Sequence, residues 1–182
     1  MKIFTAFFLL SLLIPTLSFA ADKDMPEQCR AFDPKWVASI DTEISRIREE
    51  NGWMFESVQW EVFIPASHLE AIAIVESFCR NLTSSAGAKG CMQTKPMIMD
   101  ELKMYGDLDD KYFSIQLAAH YLARLRDHYG YEIIEDYTVA YAEGPTGAKK
   151  VKDTYDHFYN RKLRCVYAKV PYRYDYSKLT VF

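Results

Sequence analysis

One carboxylate in this chain stands where a side chain could do acid chemistry. Leu69, Ile72 and Ala73 form an apolar stripe at helical spacing that continues onto Glu76, just before the polar, glycine-bearing run from Asn81 to Gly90. A glutamate facing inward there is partly desolvated, which disfavours its charged form and raises its pKa. Such an acid can protonate the oxygen of a leaving sugar, the hard step in breaking a glycosidic bond. The same position also suits a purely structural glutamate, so the surrounding residues decide between the two. The four histidines, His68, His120, His128 and His157, make no H-E-x-x-H arrangement and read as surface or packing residues.

Helices must position that acid. The first is expected from Asp33, a cap followed by Pro34, with Trp36, Val37, Ile40, Ile44 and Ile47 on one face until Asn51-Gly52. A second starts near Pro65 and carries Glu76. Further helices are read through Met97, Ile98, Leu102 and Tyr105, and from about Asp109 to Tyr129, with Gly130 as the stop. Another runs from Ile133 to about Tyr141 and breaks at Gly144-Pro145. Residues 146–164 suit a surface-packed helix, and the alternation from Ser57 to Ile64 suits a short strand or extended segment. The tyrosine-rich tail from Val166 to Phe182 yields no assignment. The fold class is mainly α, in a single domain.

Met1-Lys2, the apolar run Ile3 to Ile14, Pro15 and the small residues ending at Ala20-Ala21 read as a secretory signal peptide over residues 1–20, leaving 21–182 without a stable membrane anchor. Export to the periplasm or beyond follows. Cys29, Cys79, Cys91 and Cys165 are an even set in an exported chain and predict two disulfides. Three pairings are open; the spacing favours Cys79 with Cys91 and Cys29 with Cys165. No C-x-x-C pair accompanies them, so no metal site is expected, and nothing calls for a cofactor. Without Lys2 the balance is 21 basic to 25 acidic residues, and the densest basic stretch, Lys149 to Lys152, is too short for a nucleic-acid stripe.

Three segments raise the case for Glu76. Ala71-Ile-Ala-Ile-Val-Glu-Ser77, Ser84-Ser-Ala-Gly-Ala-Lys-Gly-Cys-Met-Gln93 and Ala140-Tyr-Ala-Glu-Gly-Pro145 resemble, in order and distance, the soluble lytic transglycosylase domain of the lysozyme-like (goose-type lysozyme) superfamily. The likeness spans roughly Ile64 to Val170. It implies that Glu76 is the catalytic acid and then base, that Gln93 and the Met92 backbone bind sugar, and that Tyr141 hydrogen-bonds or orients the glutamate. Ser77 and Ser85 would line the cleft, and Tyr167 would correspond to a late family tyrosine. Two departures stand out: Cys91 replaces the usual leucine, and Ala142-Glu143 replace the usual Asn-Ala, making Glu143 a candidate second carboxylate.

The implied reaction is cleavage of the β-1,4 bond between N-acetylmuramic acid and N-acetylglucosamine in peptidoglycan, with a 1,6-anhydro product and no cofactor. A muramidase on the same fold and a non-catalytic peptidoglycan-binding or assembly protein are the alternatives. A monomer is expected, and a secretion-system or pilus partner would suit a small wall-opening domain.

Overall fold

The carboxylate of Asp33 accepts from Lys35 N at 2.8 Å and Pro34 takes the first helical position, so the first helix starts where the sequence sets its cap. The computed structural model describes residues 25–131 and 133–170; the expected leader and the tail beyond Val170 lie outside the described residues. After a short 3-10 turn at Glu27–Cys29 come six helices. They are α1 (Pro34–Val62), α2 (Ala66–Ser77), α3 (Met97–Leu102), α4 (Lys111–Asp127), α5 (Ile134–Ala148) and α6 (Phe158–Lys169). Extended pairing among the described residues amounts to two isolated antiparallel bridges, Thr83 with Lys89 and Lys89 with Thr94, so the chain is mainly α as expected.

Helix α1 departs from expectation. It runs 29 residues, passing through Asn51-Gly52 and across the segment read as a short strand. Phe55, Val58 and Val62 prolong the buried stripe of Ile44 and Ile47 at helical spacing, and burial of that stripe outweighs the local turn signal. Asn51 is itself buried and donates its amide back to Ile47 O at 3.4 Å, so it bonds within the helix instead of turning the chain.

Three other boundaries shift. Helix α3 ends at Leu102, leaving Tyr105 exposed. The last helix starts at Phe158 instead of near 146, because His157 caps it, with Nδ1 accepting from Tyr159 N at 3.3 Å. Helix α5 continues to Ala148, but its backbone leaves helical geometry at Gly144 (φ 75°, ψ 160°), where the Gly-Pro break was expected.

Helix α2 is the centre of the core. Every residue from Ala66 to Ile74 is buried, and a helix buried on all sides must be covered on all sides. Helices α1 and α6 pack on it, α4 packs on α1, and α5 bridges α4 and α6. The polar residues buried with it are paired: Glu70 meets Arg48 at 3.1 Å, and both ring nitrogens of His68 are hydrogen-bonded.

Cys29 is bonded to Cys165 and Cys79 to Cys91, the favoured pairing of the three, and all four thiols are consumed. The first bridge ties the turn before α1 to α6; the second fastens the chain leaving α2 to the loop before α3. Replacing Cys79 and Cys91 by serine is expected to lower stability by about 3 kcal/mol, the loop-closure value for so short a ring. A fall in the urea midpoint at unchanged m-value would measure it.

Candidate active site

Glu76 is the second-last residue of α2, half-buried, with Oε1 accepting from Tyr159 Oη at 2.6 Å. Burial pushes its pKa up, while the Tyr159 hydrogen bond and the positive charge of Lys162 pull it down. Its place in the last turn adds to the upward push, because the negative end of the helix dipole opposes a carboxylate. The outcome is a raised pKa, which keeps a proton on the acid further up the pH range than for an exposed glutamate.

The chain turns sharply just past the acid. Phe78 (φ 53°) and Cys79 (φ 52°) both take left-handed backbone, a conformation that costs a non-glycine residue about 1–2 kcal/mol. Cys79 N donates to Ala73 O at 3.1 Å, and Arg46 Nη2 donates to Phe78 O at 2.6 Å, so the surroundings hold the turn. Ser77 belongs to the same clamp: its hydroxyl donates to Cys91 O at 2.7 Å and accepts from Arg80 N at 3.1 Å. Expected to line a cleft, it is buried as a strut between α2 and the loop.

That loop is held from within. Gln93 Nε2 donates to Leu82 O at 2.8 Å and Gly90 O at 3.0 Å, bracing the turn that contains it. Ser84 Oγ accepts from Ala88 N at 3.0 Å, and Ser85 is exposed beside it. Met92 has a fully buried side chain; its N donates to Ser114 Oγ at 3.2 Å and its carbonyl accepts from Tyr141 Oη at 2.7 Å.

The tyrosines divide the work differently from the expectation. Tyr141, expected on Glu76, gives its hydroxyl to Met92 O and has Thr94 Oγ1 at 3.3 Å. It remains close enough for the charge of Glu76, after burial, to push its pKa upward. Tyr167 reaches His68 Nδ1 at 2.5 Å. The proton there can be assigned: Thr138 spends its only hydroxyl hydrogen on Ile134 O at 2.5 Å, so it accepts from His68 Nε2 at 3.0 Å, and Nδ1 accepts from Tyr167. Burial lowers the His68 pKa to about 3, keeping the ring neutral.

Tyr159, which the sequence reading missed, is the tyrosine that bonds the acid. It starts the inner stripe of α6 that continues through Leu163 and Val166, and a tyrosine opening such a stripe two residues past a cap was the available signal. Asn160 donates to Glu135 O at 2.9 Å and Thr154 O at 2.7 Å, pinning this end of α6 to α5. Burial first, then the charge of Glu76, lifts the Tyr159 pKa well above its ordinary value, so the phenol keeps its proton and donates it. Lys162 lies over the Trp36 ring at 5.4 Å and the Phe158 ring at 5.1 Å. Glu143 is exposed, with His157 Nε2 at 3.5 Å from its Oε1.

An acid whose proton burial holds more tightly, bonded to a phenol and acted on by the charge of Lys162, both of which favour its anion, can give up a proton and take one back. The transglycosylase SLT domain model matches residues 54–163, more than half of the chain. The chain belongs to the transglycosylase SLT domain family. This SLT domain match contains Glu76, the loop to Gln93, Tyr141 and Tyr159, and stops short of Tyr167. Membership in the SLT family supports action on peptidoglycan of the lytic transglycosylase type, in a family whose members typically work outside the cytoplasm. No helix among the described residues is long and apolar enough to cross a membrane. No curated protein and no solved structure matches the chain significantly.

Replacing Tyr159 by phenylalanine is expected to slow glycan cleavage about tenfold, one lost charge-assisted hydrogen bond. The bond lowers the Glu76 pKa, so its loss raises that pKa further, and the alkaline limb of the pH–rate profile moves to higher pH. A limb that stays in place would sink the positioning role assigned to Tyr159.

Proposed function

We propose that this protein is an exported peptidoglycan lytic transglycosylase in which Glu76 is the single catalytic acid and base. The observation that carries the reading is the Glu76 carboxyl itself, half-buried, raised in pKa and bonded to Tyr159 at 2.6 Å. Glu76 gives its proton to the glycosidic oxygen as the bond from C1 of N-acetylmuramic acid breaks. The substrate's own N-acetyl oxygen stabilises the positive charge at C1, the substrate-assisted exception to the two-carboxylate scheme. Glu76, now an anion supported by Tyr159 and Lys162, removes the proton from the 6-hydroxyl, whose oxygen closes on C1. The acid is regenerated and the product carries a 1,6-anhydro end; no water is consumed.

Support for a single carboxylate comes from the surroundings. Among the described residues, the charge that acts on Glu76 is the cation of Lys162, and Glu143 lies next to His157 instead. Gln93 and Ser85 are assigned to the sugar, held in place by the loop's internal bonds, while the Met92 backbone, expected to bind sugar as well, is engaged by Ser114 and Tyr141. The expected leader at residues 1–20 would carry the enzyme to the periplasm.

Mass spectrometry of the fragments released from purified peptidoglycan tests the reading. Anhydro-muropeptides are the expected product. Reducing-end fragments would make the protein a muramidase, and retained wall binding with no release would make it a binding protein.

A further inference from the structure

We propose that Trp53 and Trp60, on the outer face of α1, form a second glycan-binding site that holds an uncleaved stretch of peptidoglycan strand away from Glu76. The two residues are 60% and 73% exposed, a large indole area for water to cover. Seven residues apart on one helix, they share a face and lie about 10.5 Å apart along the axis. That distance is close to one disaccharide of a β-1,4-linked strand, so equivalent sugars in successive repeats would meet successive indoles. Tyr112 of α4 stacks on Trp53 at 5.6 Å with 15° between the planes, presetting that ring before any ligand arrives.

A pyranose presents an apolar C–H face to an aromatic ring and hydroxyls at its rim, so it needs polar partners alongside the indoles. Glu56 stands between the two tryptophans on α1, and Glu61 lies on the flank towards α4, where Gln116 Nε2 donates to it at 3.2 Å and His120 Nε2 lies at 3.4 Å. The same residues argue against other occupants. Glu56 divides the rings, so they do not make the continuous apolar patch of a protein interface. Glu49, Glu56 and Glu61 border the face with negative charge, which repels an anionic membrane surface. Trp60 sits beside the turn into α2, while Glu76 is at the opposite end of that helix, about 15 Å along its axis. The inference rests on the peptidoglycan reading, which supplies a polymer long enough to occupy both places.

The test uses the protein with Glu76→Gln, so that insoluble peptidoglycan survives, with and without Trp53→Ala and Trp60→Ala together. Co-sedimentation with purified sacculi is expected to weaken at least tenfold in the double variant, at unchanged thermal midpoint. With Glu76 intact, the tryptophan variant should cleave short soluble glycan fragments at the parent rate. A second measurement leaves the face whole: in a Trp36→Phe protein, β-1,4-linked N-acetylglucosamine oligomers should shift the fluorescence of the two remaining tryptophans. Equal sedimentation of the two proteins, or no fluorescence shift, would overturn the proposal. So would a self-association seen by ultracentrifugation that the substitutions abolish while sacculus binding persists. Failure of the catalytic reading looks different: the parent would leave soluble fragments uncut whatever the tryptophans do.

Discussion

Glu76→Gln is expected to slow glycan cleavage by about 10³-fold, the middle of the range for a positioned general acid–base group. Glutamine keeps the size of the side chain and can still accept from Tyr159, so the clamp around Ser77 and Cys79 should survive. The same change should stabilise the protein at neutral pH. Burial raises the Glu76 pKa in the folded state, so above that value the native fold carries an ionised, partly desolvated carboxylate that the unfolded chain solvates freely. Below the unfolded pKa both states are protonated and the penalty vanishes. Thermal midpoints of parent and variant should therefore converge in acid, diverge as pH rises from the unfolded-state pKa to the folded-state pKa, and stay apart above it. A variant that loses activity without gaining stability at neutral pH would mean that burial of Glu76 is not the source of its raised pKa. Stability exchanged for function at one residue is what a catalytic acid of this kind predicts.

Gly90→Ala is expected to lower stability by about 4 kcal/mol or more, enough to unfold a domain of ordinary stability. Gly90 has φ 76°, where a side chain is strained, and an added Cβ would lie 2.1 Å from Leu108 O and 2.8 Å from Ser114 Oγ. The first of these is backbone and cannot rotate aside. Ser114 also receives Met92 N at 3.2 Å, so any shift that relieves the overlap disturbs the loop between the disulfide and Gln93. Denaturant titration of the purified variant, or its failure to accumulate as soluble protein, measures the effect. Gly87→Ala is the control, because its φ is also positive (79°) but nothing lies within 4 Å of the added atom. It should cost about 1 kcal/mol.

Much of this site could be read from residue order alone, because its signals are local. The apolar stripe of α2 ends on Glu76, and spacing along one helix determines which face a side chain shares. The Gly90-Cys-Met-Gln93 segment is legible for the same reason: an extended loop with a glycine at its tightest point needs no distant partner to be noticed. The favoured cysteine pairing also holds, since Cys79 and Cys91 bracket a single loop and leave the other two for each other.

Other features depended on partners that sequence spacing cannot supply. Asn51-Gly52 is a sound stop signal, and α1 runs through it because the apolar residues beyond it bury against the rest of the core. The choice among tyrosines was open for a similar reason. With 13 in the chain, which phenol reaches Glu76 depends on the angle and register at which α6 packs on α2. That register, held by the Cys29–Cys165 bridge and by the bond from Asn160 of α6 to Glu135 of α5, brings Tyr159 to the acid. It sends Tyr167 to His68, and Tyr141 to the Met92 carbonyl.

The sequence by itself determined the helical class, the place of Glu76 at the end of the apolar stripe of α2, the loop that follows it and the break at Gly144, all consequences of periodicity and backbone preference within short stretches of chain. Only the tertiary structure decided how far α1 extends, that Ser77 is a strut, and that Tyr159 holds the glutamate. Those outcomes turn on burial and on hydrogen bonds between segments up to 83 residues apart, and such contacts exist only once the helices have packed.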